Sequence, residues 1–243
     1  MTSTSDADTL DAFLGGRVKA WQPRHGYRAG VDAVLLAAAC PAKKSESVLE
    51  LGCGVGVASL CLAARTGAVL TGVEIQPAYA SLARKNGLDV VEADLAALPA
   101  ALRQRQFHHV IMNPPYFTSG PAAPDPGRQT ARQEETPLAV WIETAEKRLR
   151  AKGMLTLIHR AERLPDLLRA VTLGSIEVLP LQPRQGRAAH LILLRARKDV
   201  RAPFRLHAPV TIHAAARHEG DHPDYTPLFH RILGSGDALP FPD

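Results

Sequence analysis

Residues 47–56 read SVLELGCGVG, and this stretch decides the fold predicted for the chain. Its first half is a short apolar run of the kind that forms a buried strand, which the glycines then end. Gly52, Gly54 and Gly56 allow a sharp turn and let a ligand approach the backbone, because no Cβ stands in the way. A helix is predicted directly after the turn, over residues 57–65. The unit is therefore a strand, a glycine turn and a helix.

The alternation of strands and helices continues along the chain and ends in a hairpin. It implies an α/β fold: a Rossmann-like, mostly parallel, seven-stranded sheet with helices on both faces. Such sheets bind ligands at the carboxyl ends of their strands, so the chemistry is expected there. The further strands are predicted at 69–73, 89–92, 107–112 and 154–159, the hairpin strands at 176–181 and 190–196, and the other helices at 30–40, 77–86, 138–151 and 164–171.

The composition fits one folded domain spanning residues 1–243, since 46% of the residues are apolar and 22% are charged. No apolar run approaches the roughly 20 residues that span a bilayer, and the polar N-terminus does not have the pattern of a secretion signal. Three cysteines without a CxxC pair favour reduced thiols over a disulfide framework or a zinc site. We expect a cytoplasmic protein that binds no metal and no membrane.

Two carboxylates follow predicted strands in the order that a nucleoside ligand requires. Glu74 ends the second strand, 20 positions after Gly54, where it can accept hydrogen bonds from both hydroxyls of a ribose. Asp94 follows the third strand and can accept from the amino group of an adenine, while the Ala93 backbone contacts the ring edge. The G-x-G-x-G spacing differs from the dinucleotide pattern G-x-G-x-x-G, which cradles a pyrophosphate. The predicted cofactor is therefore S-adenosylmethionine. Glu50 and the three glycines are expected to surround its methionine part.

Asn113-Pro114-Pro115-Tyr116, followed by Phe117, comes directly after the fourth strand. The two prolines make this exit from the sheet rigid and extended. The Asn113 side-chain oxygen and the Pro114 carbonyl oxygen can then face one point as two hydrogen-bond acceptors, and the Tyr116 ring can stack on a flat substrate. We interpret residues 113–116 as catalytic, with Asn113 also beside the cofactor and Phe117 beside the substrate.

This corner suits the methylation of a planar amino group, whose delocalised lone pair makes the nitrogen a poor nucleophile. Two acceptors on its N–H hydrogens favour a pyramidal nitrogen with the lone pair free, and they stabilise the positive charge that develops during transfer. Geometry therefore dominates, and no strong general base is required before attack. The sequence thus predicts an N-methyltransferase.

These residues resemble the class I S-adenosylmethionine-dependent methyltransferases that carry an NPPY motif. The resemblance covers most of the chain, and it is closer still to the bacterial enzymes that modify N6 of the adenine beside the anticodon, position 37, of a valine tRNA. It implies the class I methyltransferase fold, S-adenosylmethionine as donor and Asn113, Pro114 and Tyr116 as the target-amine site. The closer similarity is carried by YRAGVDAVLL (27–36), TARQE (130–134), LQPR (181–184) and DYT (224–226).

Three substrates share a planar NH₂ group and stay open: adenine N6, guanine N2 and the side-chain amide of glutamine. Glutamine methyltransferases that act on release factors usually carry a separate helical domain first, whereas 46 residues precede the first strand here. Guanine-N2 enzymes of the ribosome often carry a duplicated domain, for which the sequence has no counterpart. A binding protein that retains a cofactor fold is disfavoured, because it has no need of the acceptor pair.

Clustered arginines favour RNA, most of all tRNA, as the partner, although the net charge of +5 is a weak indication by itself. Arg128 and Arg132 lie in the long segment 118–136, which we interpret as a lid with Arg132 beside the substrate. Arg184 and Arg187, in the hairpin loop, are further candidates for phosphate contacts. A basic run follows at Arg195, Arg197, Lys198 and Arg201.

The ends of the chain are less informative. Residues 1–9 are expected to form a flexible tail, residues 10–46 an N-terminal segment on the cofactor side, and residues 203–243 a C-terminal extension. Five histidines between His207 and His230 lack the tight spacing of metal ligands, so we interpret them as surface residues.

Overall fold

The computed structural model of the protein describes residues 8–116, 136–215 and 224–242. Strands and helices alternate along these residues, as the sequence predicts. None of the helices in these ranges combines the length and apolar character that a membrane crossing requires. The strands are β1 (Thr9–Phe13), β2 (Val18–Gln22), β3 (Ser47–Leu51), β4 (Val69–Glu74), β5 (Asp89–Glu92), β6 (Phe107–Met112), β7 (Leu149–Arg160), β8 (Gly174–Gln182), β9 (Leu191–Arg197), β10 (Arg205–Leu206) and β11 (Val210–Thr211). The helices are α1 (Val31–Ala39), α2 (Val57–Thr66), α3 (Pro77–Lys85), α4 (Ala100–Arg103), α5 (Leu138–Arg148), α6 (Leu164–Ala170) and α7 (Pro227–Ser235).

The central sheet has the strand order β10-β8-β9-β7-β6-β3-β4-β5, with β11 also paired to β8. Strands β3 to β7 run parallel to one another, and β9 is antiparallel to both β7 and β8, as the predicted closing hairpin requires. The predicted number of seven strands is too low, because the sheet has nine. The two additional strands, β10 and β11, are only two residues long and pair with β8. Strands this short have no sequence pattern from which they could be predicted.

Helices cover both faces of the sheet, as predicted for a parallel α/β fold. Side chains alternate between the faces along each strand, and β6 illustrates this. Ile111 belongs to the buried layer that includes residues of α1, α2, α3 and α7. Val110 and Met112 belong to the opposite layer, which includes residues of α4, α5 and α6. The carboxyl edge of the sheet therefore lies between two packed layers.

The N-terminal segment forms a separate two-stranded sheet, β1 with β2, which the sequence did not predict. Thr9 already pairs with Gln22, so the expected tail of residues 1–9 overlaps the first strand. Asn86 attaches the hairpin to the fold: its Oδ1 accepts from the Trp21 N–H at 2.7 Å, and its Nδ2 donates to the carbonyls of Trp21 at 3.0 Å and Val55 at 2.9 Å. The hairpin is thereby fixed beside the glycine turn.

The C-terminal extension contains α7, whose Phe229 and Ile232 are fully buried in the same layer as α1 and α2. After this helix the Leu239 N–H donates to the Ala38 carbonyl at 2.9 Å, which ties the chain end to α1. We propose that α7 belongs to one domain with the sheet.

One predicted helix boundary is wrong. Helix α5 ends at Arg148 and not at residue 151, because β7 begins at Leu149 and extends over 12 residues. Leu149 pairs with Phe107 and Met154 with His109, so the register shifts here and the extra residues lie in β7. Lys152 has a positive φ of 62°, which bends the early part of the strand. This pairing is a long-range contact, so the helical pattern of the sequence could not reveal it.

Substitution of Phe229 by alanine tests whether α7 is part of the core. The cavity left by a fully buried phenylalanine should cost about 3–5 kcal/mol of unfolding free energy. Urea unfolding followed by circular dichroism measures this loss. Phe204→Ala serves as the control, because the Phe204 side chain is exposed and its loss should be nearly neutral. Equal stability of the two variants would contradict the placement of α7 in the core.

Candidate active site

The carboxyl ends of β3, β4 and β6 meet at a cleft of about 500 Å³. The glycine turn after β3 and the corner after β6 form parts of its wall, so two motifs that lie far apart in the sequence come together. The N-terminal side of α1, the starts of α2 and α3 and one residue of α5 contribute the rest of the wall. Eight of the predicted site residues line this cleft: Glu50, Gly52, Gly54, Glu74, Asn113, Pro114, Pro115 and Tyr116.

The glycine turn has the backbone conformation that its sequence predicts. Gly52, Gly54 and Gly56 have φ angles of 63°, 54° and 89°, a region that residues with a Cβ rarely adopt. A Cβ on Gly52 would lie 2.3 Å from Cη2 of Trp141, which packs against the turn. Gly56 faces Leu88 and is not on the cleft wall, so its place in the structure is that of a helix-starting turn residue. Its predicted contact with the cofactor stays a prediction.

Glu74 connects the ends of β3 and β4. Its Oε2 accepts from the Gly54 N–H at 2.8 Å and its Oε1 accepts from the Gln76 N–H at 2.9 Å. Burial raises the pKa of this carboxyl, while the hydrogen bonds from the backbone oppose the rise. Each carboxylate oxygen has a second lone pair, so Glu74 keeps acceptor capacity toward the cleft.

Glu50 is a buried acid at the end of β3. Its Oε2 accepts from the Ser59 N–H at 3.0 Å and from the Ser59 hydroxyl, and the side chain reaches the cleft wall. Burial raises the pKa of Glu50 to about 8, although the hydrogen bonds from Ser59 act in the opposite direction. The site therefore holds a buried carboxyl whose ionised form a nearby positive charge would stabilise further.

Ala93 and Asp94 lie in a smaller recess next to the main cleft, which Gly52, Glu74 and Trp141 line as well. Oδ1 of Asp94 accepts from the Ala96 N–H at 2.8 Å and caps the short turn Leu95–Ala97. The Ala93 N–H already donates to the Glu74 carbonyl. Ala93 and Asp94 thus lie next to the cleft in which the cofactor is expected. Their contacts with the adenine ring of the cofactor stay a prediction.

Asn113 carries the most informative atom of the site. It follows β6 directly and lines the cleft together with both prolines. Its Oδ1 is buried and has no hydrogen-bond partner among the described residues. A buried acceptor without a partner costs stability, so such atoms are rare unless a ligand or water completes them. The Asn113 Oδ1 acceptor is thus left available on the cleft wall among the described residues.

Tyr116 is held on more than one side. Its hydroxyl donates to Oδ2 of Asp32, in the first turn of α1, at 2.6 Å. The His159 ring lies 5.3 Å from the Tyr116 ring, centroid to centroid, and the Arg160 guanidinium lies 5.5 Å from its centre. Burial, with the nearby Asp32 charge, strongly raises the pKa of Tyr116, so the phenol stays protonated and remains a donor.

Several predictions fall on residues that the structure does not describe. Phe117, Arg128 and Arg132 lie within residues 117–135, outside the described ranges. Residues 118–135 of the proposed lid lie there too, so its placement stays a prediction.

Sequence reasoning missed several residues of the cleft wall, among them Tyr27, Asp32 and Trp141. The first two lie in the segment before β3 that the family resemblance had marked, although no chemistry had been assigned to them. Trp141 had no signal of its own, because its position depends on how α5 packs over Gly52.

The arginine clusters divide between the two edges of the sheet. Arg187 is exposed in the loop between β8 and β9, on the edge of the active site. Arg184 is unsuited to a phosphate contact, because its guanidinium forms an ion pair with Asp224 and is only 13% exposed. The later basic run is at the opposite edge, since Arg160 pairs with Leu191 at the site edge and Arg197 pairs with Met154 far from it.

Of the three histidines of the C-terminal extension that the structure describes, His230 is exposed as expected, whereas His207 and His213 are partly buried and paired. The His207 side chain is 6% exposed and pairs with Glu177. His213 accepts or donates a hydrogen bond at 2.8 Å with Asp224 and stacks on Tyr225. Among the described residues no group of three or more potential metal ligands is close enough together to hold a metal ion.

Substitution of Glu50 by glutamine should flatten the pH dependence of stability. With a pKa of about 8 in the folded protein against 4.5 for the free side chain, Glu50 keeps its proton while the unfolded chain releases it. Stability is therefore lost as the pH rises from about 4.5 to 8. Glutamine cannot ionise, so Glu50→Gln should lose less unfolding free energy over this window, measured by urea unfolding at pH 5 and pH 8. The exposed Glu92→Gln is the control, and parallel profiles for Glu50→Gln and wild type would contradict the assignment.

Comparison with known proteins agrees with this geometry. The tRNA1(Val) (adenine(37)-N6)-methyltransferase of Shewanella amazonensis is 32% identical over 181 residues, which are 70% of this chain and 77% of that protein. The protein of the same name from Porphyromonas gingivalis strain ATCC 33277 is 35% identical over 173 residues, 65% of this chain and 68% of its own length.

Solved structures share the fold. A predicted O-methyltransferase from Agrobacterium tumefaciens has a TM-score of 0.70 at 28% identity, covering 86% of this chain and 98% of its own. A 16S rRNA N2 methyltransferase of T. thermophilus, in complex with AdoMet and guanosine, has a TM-score of 0.54 at 22% identity, covering 79% of this chain and 50% of its own, which is a likeness of fold alone. The profile of the methyltransferase small domain family matches residues 29–180, from α1 to β8. With both site motifs inside that range, the chain belongs to the methyltransferase small domain family, and its fold is that of the class I S-adenosylmethionine-dependent methyltransferases.

Proposed function

We propose that this protein transfers a methyl group from S-adenosylmethionine to the exocyclic N6 of an adenine in tRNA, at position 37 beside the anticodon of a valine tRNA. The observation that carries the proposal is the buried Oδ1 of Asn113, an acceptor without a partner among the described residues, on the wall of the cleft. An amino N–H is the group that this atom is suited to bind. A tRNA substrate also places the protein in the cytoplasm.

The residues of the cleft fit the cofactor. Glu74, with acceptor capacity left on its carboxylate, would bind the ribose hydroxyls, and Asp94 with the Ala93 backbone would bind the adenine. The turn at Gly52 and Gly54 would take the methionine part, because no Cβ obstructs the backbone there. When bound, the cofactor supplies an electrophilic methyl group on a positively charged sulfur.

Glu50 matches the charge of this ligand. A positive group beside the buried carboxyl favours its ionised form, and the raised pKa means that binding would be linked to the loss of a proton. The wall also carries the acids Glu74 and Asp32, and its cation Arg28 is paired with Asp11. A cationic donor is therefore attracted to the site, and its neutral product is attracted less.

The corner after β6 would act on the target. Asn113 Oδ1 and the Pro114 carbonyl accept the two N–H hydrogens and keep the nitrogen lone pair free of the ring. The Tyr116 ring stacks on the base, a contact that contributes roughly 1–3 kcal/mol per base in other proteins. The prolines hold the acceptors before the substrate arrives, so the rate gain comes from position and electrostatics.

The acceptor pair also separates the candidate substrates. An oxygen nucleophile has no pair of N–H hydrogens, so the corner favours an amino group even though the A. tumefaciens neighbour carries the name of an O-methyltransferase. Guanine N2 and a glutamine amide would satisfy the same two acceptors and remain the alternatives. The names of the relatives from S. amazonensis and P. gingivalis favour adenine N6 of tRNA.

Incubation with isotope-labelled S-adenosylmethionine and three acceptors tests the proposed function. The acceptors are total tRNA, ribosomal RNA and a release factor, each from cells that lack this gene. We expect label in tRNA and N6-methyladenosine in its nucleoside digest, read by mass spectrometry. Label that enters only the release factor, or only guanine of ribosomal RNA, would overturn the proposal in favour of the corresponding alternative.

The variant Asn113→Ala tests the role of the acceptor. Turnover should fall on the order of 10²-fold or more, as it does when one preorganised polar contact is removed from other active sites. Cofactor affinity should stay close to that of the wild type, because the bond to the target amine is the one that is lost. Isothermal calorimetry and initial rates separate the two effects. A collapse of cofactor affinity would place Asn113 in the cofactor site and not at the target.

A further inference from the structure

We infer that Asp32 is a positioning residue, which orients the Tyr116 ring for stacking on the target base through one hydrogen bond to its hydroxyl. The inference rests on the proposed function for its substrate and on the described contacts for its geometry. It assigns a task to the start of α1, which sequence reasoning had associated only with the cofactor.

The hydrogen bond is short and charge-assisted. The Tyr116 hydroxyl donates to Asp32 Oδ2 at 2.6 Å, across 84 positions of sequence, and both side chains are half-buried. Bonds of this type between a hydroxyl and a carboxylate are among the stronger ones in proteins. Among the described residues Asp32 forms no ion pair, so its carboxylate is not committed to a neighbouring cation.

Asp32 stands on a rigid support. It lies in the first turn of α1, and the residues from Ala33 to Ala39 that follow it are all buried in the core. The helix therefore cannot shift without disturbing the packed layer. A side chain anchored in this way transmits the position of α1 to the catalytic corner.

The corner needs such a support. Pro114 and Pro115 restrict the backbone up to Tyr116, but they do not select the rotamer of the Tyr116 side chain. The His159 ring lies 5.3 Å from the Tyr116 ring, centroid to centroid, and the Arg160 guanidinium lies over the Tyr116 ring at 5.5 Å from its centre. The bond to Asp32 fixes the hydroxyl end, so it restrains the ring in addition to these two neighbours.

A direct contact with the cofactor is the competing role for Asp32, because its side chain also lines the cleft. The two roles make different demands. A charge contact with a cationic ligand requires the carboxylate, whereas positioning of Tyr116 requires only an acceptor oxygen, which asparagine retains. The variant Asp32→Asn therefore separates them.

A double-mutant cycle tests the inference. Asp32→Ala and Tyr116→Phe should each lower kcat/KM for tRNA by about 10-fold, since a misplaced group costs a large part of an orientation effect. The double variant should be no worse than either single one, because both remove the same bond. Asp32→Asn should recover most of the activity with unchanged cofactor affinity by calorimetry. Asp89→Ala, at the amino end of β5, is the control for loss of an acid outside the site.

Two kinetic outcomes would overturn the inference. The first is additive losses, with about 100-fold for the double variant, because the two side chains would then act independently. The second is a loss of cofactor affinity in Asp32→Asn as large as its loss of activity, which would make Asp32 a cofactor ligand.

If the wild-type enzyme does not methylate tRNA, the proposed substrate is wrong, and an NMR measurement can still test the contact between Asp32 and Tyr116. The chain has four tyrosines, so in protein labelled with ¹³C at tyrosine Cζ the Tyr116 signal is identified by its absence in Tyr116→Phe. Asp32→Ala should shift or broaden this signal, and Asp32→Asn should largely preserve it. A Tyr116 signal that is unchanged in Asp32→Ala would overturn the inference whatever the substrate is.

Discussion

The site depends on the backbone of the glycine turn after β3, which must adopt left-handed φ angles while two large groups press against it. Trp141 of α5 occupies the space that a Cβ on Gly52 would need, and the Gly54 N–H is bound by the carboxylate of Glu74. This pair of contacts brings the end of β4 and the start of α5 up to the end of β3. The cofactor side of the cleft forms where the ends of β3 and β4 and the start of α5 meet. The groups assigned to the cofactor lie on these three elements or beside them.

Burial then sets the electrostatics of the cleft. Glu50 and Glu74 lie close together in surroundings from which water is largely excluded, and each therefore has a raised pKa. Two buried carboxyls in one site destabilise the empty protein, and they favour the binding of a cationic ligand. Burial of the two carboxyls thus lowers the stability of the empty protein and favours the binding of a cation. Functional sites often combine these two effects.

The catalytic corner follows a similar logic with neutral groups. An acceptor such as Asn113 Oδ1, buried without a partner, costs about 1–3 kcal/mol when nothing binds to it. The prolines restrict the backbone of the corner, and the Tyr116 hydroxyl is bound to Asp32. Rigidity in the corner and in α1 thus preserves an acceptor that has no partner among the described residues, which we propose is completed by the substrate amine.

The amino-acid sequence alone determined the α/β class, the parallel sheet, the positions of β5 and β6, and the identity of the residues at the strand ends. These features depend on local patterns: apolar periodicity, glycines that permit a turn, and prolines that stiffen an exit. Only the tertiary structure decided that Asp32 bonds to Tyr116, that Trp141 closes on Gly52, that Arg184 is taken by Asp224 and that β10 and β11 widen the sheet. Such contacts join residues tens of positions apart. Their partners are selected by the packing of whole layers, which no short stretch of sequence encodes.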